Sequence, residues 1–201
     1  PQGPVVEQVR LSPEMCRGWL KYIAPLIADA TAAEGRFSLS LDAAAVPLSE
    51  PASGDVQGVL SVESARIGPG PLSHELLVLA EQIKALVERR VPRPDAAASQ
   101  WLEMPAQKVA FRMAQQRVHH QGLQFAAKDV IVRTQGSVGF DQSLSLMAEV
   151  PIRDEWVAKD RYLASLQGQV LQLPIHGTLK QPRVDGQALT QLTQQAVTGT
   201  A

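Results

Sequence analysis

The sequence has little of several features that commonly define a class of protein. Cys16 is its only cysteine, which excludes an intramolecular disulfide and a metal site built from several thiolates. Asparagine is absent, so neither Asn-Gly hairpin turns nor N-glycosylation sites can occur. No apolar run reaches the roughly 18 residues that a membrane-spanning helix requires. We therefore expect no transmembrane helix within these 201 residues.

The charge is nearly balanced, with 19 basic and 20 acidic residues and a net charge of -1. A general nucleic-acid binder needs a basic surface that displaces counterions, so no nucleic-acid partner is expected. The first residues, PQGPVVEQVR, do not have the architecture of a signal peptide. Because the chain begins with proline, we expect it to be an excised piece or a processed chain.

Residues 136–152, GSVGFDQSLSLMAEVPI, contain the clearest pattern in the chain. Apolar and polar side chains alternate, which predicts sheet structure with one apolar face and one solvated face. Asp141 and Gln142 interrupt the alternation, either as a turn or as a polar step. The apolar side chains that share one parity are Val138, Phe140, Leu144, Leu146, Ala148, Val150 and Ile152.

Two helices are predicted in the first half of the chain. The first covers residues 11–30, has Ser12 as its N-cap and carries an apolar stripe with a spacing of four, which Pro25 should kink or break. Residues 72–91 carry a second apolar stripe, and Pro92 ends that helix. Such a helix must cover an apolar surface, most simply one face of a sheet.

Alternating patterns predict further strands on both sides of these helices. In the first half, the alternation of the second strand slips near Gly58, which indicates a bulge. In the second half, Gly122 separates two predicted strands of an antiparallel meander, and a helix over 153–166 precedes the last strand. The predicted strands outside the central stretch are 36–45, 55–67, 106–118, 123–134 and 169–179.

The predicted fold class is therefore α+β, with a curled, groove-like antiparallel sheet and two or three helices packed on or beside it. Residues 92–105 include a stretch rich in proline and alanine, which predicts a linker. The chain would then divide into a helix-strand-strand-helix half over 1–91 and a sheet half over 106–201. One continuous domain over 1–201 is the alternative.

Motifs that would indicate catalysis or cofactor binding are weak. The glycines of residues 67–73, IGPGPLS, lie between a strand and a helix, but Ser73 replaces the third glycine of a dinucleotide-binding turn and the prolines remove backbone donors. His119 and His120 should face opposite sides of a strand and cannot chelate one ion together. No nucleophile elbow, phosphate loop or zinc-protease motif occurs. We expect no enzyme activity, no cofactor and no metal.

The second half resembles the carboxy-terminal region of AsmA-like (TamB/YhdP-type) bacterial envelope proteins. Residues 117–125 and 130–141 resemble the family's strand, glycine turn and strand, and residues 144–152 resemble its next alternating strand. Residues 173–184, LPIHGTLKQPRV, resemble its closing signature of Gly-Thr-Leu followed by Pro-x-Val. The likeness covers about residues 106–185, whereas the two helices of the first half and the helix over 153–166 depart from the family pattern.

This resemblance implies a non-catalytic module of a periplasmic protein that is attached to the inner membrane through a segment outside this chain. It implies binding of phospholipid or other acyl lipid for intermembrane lipid transport or outer-membrane assembly. Neighbouring modules of the parent protein would be its other partners. The expected lipid-binding face consists of Phe111, Phe125, Val138, Phe140, Leu144, Leu146, Leu171 and Leu173.

The alternation of apolar and polar residues is also compatible with a different interpretation of the same face. If the helices cover it, the apolar side chains form an ordinary core, and the protein is a structural or protein-interaction module that acts through its surface or its edge strands. A hydrolase is a third possibility, which the lack of a nucleophile-base pair disfavours.

Overall fold

The computed structural model describes residues 4–87, 91, 101–127, 130–157 and 168–187. Within these ranges the fold is α+β, a ten-stranded antiparallel sheet with a few helices, and the predicted fold class is confirmed. The strands are β1 (Pro4–Arg10), β2 (Ala33–Ala45), β3 (Asp55–Ile67), β4 (Leu102–Met104), β5 (Gln107–Ala114), β6 (Arg117–Ala127), β7 (Val130–Gly139), β8 (Leu144–Pro151), β9 (Val170–Gly177) and β10 (Pro182–Val184). The helices are α1 (Pro13–Arg17), α2 (Leu20–Ile23), α3 (Pro71–Val87) and α4 (Asp154–Val157).

The sheet order is β1-β2-β3-β4-β6-β7-β8-β9-β10, and β5 also pairs with β3 and β6. β4 and β5 therefore share one position in the sheet, on either side of a short break at Pro105. Among the described strands, β1 and β10 form the two edges. β3 precedes the predicted linker and β5 follows it, and the two strands pair, so the sheet continues across the linker. β4 lies within the residues of the predicted linker. The division into two halves stays a prediction.

The predicted helix over 11–30 is wrong as a single element. Ser12 caps α1 as expected, because its hydroxyl accepts a hydrogen bond from the backbone N–H of Met15 (3.4 Å). Gly18 then ends α1, and after α2 the chain forms a 3₁₀ turn at Pro25–Ile27. Proline has no N–H and clashes with the preceding turn, so Pro25 ends the helical stretch rather than kinking it.

Helix α3 begins at the tight Gly-Pro-Gly-Pro connection and ends at Val87, and residues 88–90 lie outside the described ranges. The connection is a packed turn: a Cβ on Gly70 would overlap the carbonyl oxygen of Ala28, and the backbone N–H of Gly70 donates to the Ser73 hydroxyl (2.6 Å). The glycines thus serve close packing between two segments of the backbone.

The strand boundaries predicted around Gly122 are wrong. The turn between β5 and β6 is formed by Gln115 and Gln116, which both have positive φ angles (51° and 60°). A type I′ hairpin turn requires this left-handed conformation at both positions, and glutamine is not among the residues that predict such a turn. Gly122 lies inside β6, at a bulge where the register with β7 shifts between His120 and Leu123.

Several smaller expectations differ from the structure. The bulge expected near Gly58 lies on the partner strand, where Asp42 is the extra residue between Leu41 and Ala43. The helix expected over 153–166 is described only as α4, because residues 158–167 lie outside the described ranges, as does the tail after 187. The edge strands β1 and β10 and the short β4 were not predicted.

Candidate functional site

The eight side chains expected to bind lipid do share one face of the sheet, here called the inner face. Seven of them are buried, and Phe140, in the turn between β7 and β8, is half-buried. The central alternation holds in β8, since Leu144 and Leu146 are buried while Ser145 between them is exposed, but Ser137 of β7, expected on the solvated face, is buried. All eight belong to, or pack against, a single hydrophobic core.

Helices cover the inner face. α2 packs on β6 and β7, and its Tyr22 meets Phe140 edge-to-face with 5.5 Å between ring centroids. The Tyr22 hydroxyl also donates to the backbone oxygen of Phe140 (3.5 Å). α3 contacts β10 and the 3₁₀ turn, and its Leu72 and Leu76 are fully buried. The face is thus a filled interior rather than an open groove.

One histidine lies inside this core. His120 is 1% exposed, and its Nε2 lies 3.2 Å from the hydroxyl oxygen of Thr134, which is also buried. Its Nδ1 has no hydrogen-bond partner in the part of the chain that the structure describes. Burial, with a smaller contribution from the neighbouring His119, lowers the pKa of His120 from 6.5 to about 4. The imidazole is therefore neutral at pH 7.

The remaining candidates do not assemble into a reactive site. His119 is exposed and His120 buried, which confirms that they face opposite sides of β6. No cluster of three potential metal ligands exists among the described residues. Cys16 is buried in the core, and burial raises the pKa of its thiol to about 11, far from the range of a reactive thiolate.

Two clefts open on the opposite face of the sheet, here called the outer face. The larger cleft has a volume of about 660 Å³ and lies where β3 changes partner from β5 to β4. The smaller has a volume of about 410 Å³ and lies between β6 and β9. Gly35 lines the first and Gly136 the second, and each has a φ of 131°.

Sequence reasoning did not find these clefts. A Cβ on Gly35 would overlap the carbonyl oxygen of Ser64, and one on Gly136 would overlap that of Ser145. A glycine within a strand often marks a bulge or a close backbone approach, so both positions were a usable signal. The side chains around them come from strands far apart in sequence, which no local pattern brings together.

No protein-family model, curated protein or solved structure matches this chain. In the described ranges, no helix combines the length and the apolar character needed to cross a membrane.

Proposed function

We propose that this chain is a non-catalytic structural module of a bacterial cell-envelope protein, which acts through contacts with neighbouring modules of its parent protein. The observation that carries this proposal is the burial of the expected lipid-binding side chains in a single core, with α2 packed over β6 and β7. A face already filled by helix side chains has no free apolar surface to offer, because further burial would first require the helices to leave.

The closing signature supports the envelope assignment and a location in the periplasm. In the structure, residues 177–184 make the turn from β9 into the edge strand β10, with Gly177 at a φ of 89°. The backbone N–H of Thr178 donates to the oxygen of Gln181, and that of Gln181 returns a bond to Thr178. Residues 177–184 of the closing signature thus form one edge of the sheet.

Contacts with neighbouring modules would use the edges of the sheet. Edge strands present backbone donors and acceptors to a neighbouring strand. β1 is exposed along most of its length, and a bulge at Gln8 with a φ of 48° bends it. β10 contains only three residues and begins with Pro182, which has no N–H to donate. These features favour pairing with a defined partner over unrestricted aggregation.

Binding of acyl chains for lipid transport is the second candidate. It is favoured by the continuous aliphatic inner face, on which buried side chains run from β5 to β9. Burial of an acyl chain stabilises a complex by about 0.8 kcal/mol per methylene. Since α2 packs on the same face, lipid would have to displace this helix, which contains only four residues.

Organic extraction followed by mass spectrometry separates the two candidates. Protein purified without detergent would be extracted before and after incubation with phospholipid vesicles, with an unrelated protein from the same host as the control. We expect no stoichiometric lipid from well-folded protein. Phospholipid at about one equivalent or more in both samples would overturn the structural proposal in favour of lipid binding.

A variant with a weakened helix cover extends this experiment. Tyr22→Ala removes the ring contact with Phe140, while Trp19→Ala removes a similar edge-to-face contact with Phe37 and is the matched control on the same segment. We expect neither folded variant to retain lipid. Retention by Tyr22→Ala alone would show that the inner face accepts acyl chains once its cover is loosened.

A further inference from the structure

The larger outer-face cleft lies on the side of the sheet opposite the hydrophobic core. It lies over one row of paired residues that crosses five strands, where β2, β3, β4, β6 and β7 contribute one side chain each. Met104, Pro105 and Ala65 line it as well. In order across the sheet, the row is Glu34, Arg66, Glu103, Ala126 and Ile131.

The charges of this row are unequal. Glu34 forms an ion pair with Arg66, with 3.8 Å between carboxylate oxygen and guanidinium nitrogen. The Arg66 guanidinium also lies over the Trp101 ring, 5.1 Å from its centroid. Arg66 thus has a carboxylate partner on β2 and a ring contact with the residue that precedes β4. The Glu103 carboxylate has no ion-pair partner in the described ranges, although it faces the cleft.

The apolar part of the cleft lies on the other side of Glu103. Ala126 and Ile131 are half-buried on the outer face, and Met104 lies beneath them. From Glu103 toward β7, a ligand that lies along the row therefore contacts first the Glu103 carboxylate and then an aliphatic surface. The cleft volume of about 660 Å³ falls within the range of sites that hold ligands of several hundred daltons.

We propose that this cleft binds an extended peptide segment through a basic side chain that reaches Glu103 and an aliphatic neighbour that packs on Ala126 and Ile131. A lysine or arginine provides the cation on an apolar stem, and such stems pack readily along apolar surface. Arg66 is already paired with Glu34, and the two carboxylates of the row outnumber its one cation, which favours a basic over an acidic peptide. This inference does not depend on whether the inner face is covered.

Amide chemical-shift titration of the ¹⁵N-labelled full chain tests the proposal. The probes are acetyl-Leu-Lys-Leu-amide and its Leu-Gln-Leu and Leu-Glu-Leu counterparts, with hexylammonium chloride as the free amine. We expect saturable shifts around residues 103 and 131 with the lysine peptide and weaker binding of the glutamine peptide. The proposal would be overturned by equal affinity of the three peptides, by the absence of shifts in this region, or by hexylammonium that binds as tightly as the lysine peptide.

Two variants and a control locate the interaction. Glu103→Gln should weaken the lysine peptide about two- to fivefold, as expected for an exposed ion pair, and leave the glutamine peptide unchanged. Ala126→Phe fills the apolar part and should abolish binding of both. Glu75→Gln, at an exposed position on α3, removes the same charge elsewhere and should have no effect. An unchanged lysine-peptide affinity in Glu103→Gln would contradict the proposed contact.

Discussion

At the scale of single residues, His120 makes the stability of the fold depend on pH. Its pKa falls from 6.5 in an unfolded chain to about 4 in the core, where burial disfavours the charged imidazolium. The unfolded state therefore binds the proton more tightly. The stabilisation is complete above pH 6.5 and is lost as the pH falls toward 4.

We expect the contribution of His120 to unfolding free energy to fall by about 2 kcal/mol between pH 7 and pH 4.5. His120→Gln can still hydrogen-bond Thr134 but does not titrate, so its stability should vary less with pH by that amount. Urea denaturation at both pH values measures the difference, with His119→Gln as the exposed control. Parallel pH dependences in all three proteins would exclude this role.

Gln107 is a second residue with a structural task that its sequence context does not reveal. Its side-chain amide donates to the backbone oxygen of Gln124 (2.6 Å) and accepts from the backbone N–H of the same residue (2.8 Å). The amide thus replaces a peptide group of the ladder next to the break at Pro105. It keeps β6 bonded where no backbone partner is available.

Replacement of Gln107 should therefore lower the stability of the fold more than is usual for a half-buried polar residue. Gln107→Ala removes both bonds at once, and we expect a loss of about 1–3 kcal/mol in unfolding free energy. Gln121→Ala is the matched control, because Gln121 is exposed and pairs through its backbone. Equal stabilities of the two variants, measured by chemical denaturation, would mean that the Gln107 amide contributes nothing beyond solvation.

At the scale of elements, two glycines allow the strands to bend. Gly35 in β2 and Gly136 in β7 share a φ of 131°, and each lies against a carbonyl oxygen of the adjacent strand. Only glycine fits such a position, since any Cβ would overlap that oxygen and the φ angle is unfavourable for other residues. Each of these glycines lines one of the two outer-face clefts.

We expect Gly136→Ala to lower the unfolding free energy by about 2 kcal/mol or more, because backbone strain and overlap with Ser145 act together. Gly122 provides the comparison: its φ is 72°, but no atom lies within 4 Å of a Cβ built there. Gly122→Asn should cost less than about 1 kcal/mol, since asparagine tolerates this conformation. Similar losses in the two variants would argue against the close contact at Gly136.

These elements also show what the sequence could and could not predict. Period-two alternation predicted the buried parity of β8 and the bounds of β3, because side-chain direction in a strand follows from local geometry alone. The hairpin at Gln115 and Gln116 was missed because its left-handed residues are stabilised by the strands they join. The outer-face clefts were missed because strand pairing, not local pattern, assembles them.

At the scale of the whole molecule, the covered inner face and the open outer face divide the possible functions. The eight apolar positions were predictable as a set, yet whether helices cover them depends on where the helices dock on the sheet. The same alternation is compatible with a groove or a core. The helix cover is consequently the element on which the choice between a structural module and a lipid carrier depends.

Cys16 allows that choice to be tested in the unmodified chain. It is the sole cysteine, lies fully buried in α1, and burial raises the pKa of its thiol to about 11. A thiol reagent can reach it only when the helix cover opens, so the labelling rate reports opening. We expect slow labelling at pH 8 that phospholipid vesicles leave unchanged, against rapid labelling in denaturant. Displacement of the helices by lipid would expose α1. Severalfold faster labelling in the presence of vesicles, with no loss of secondary structure by circular dichroism, would therefore identify the inner face as a lipid site that the protein's own helices cover when no lipid is bound.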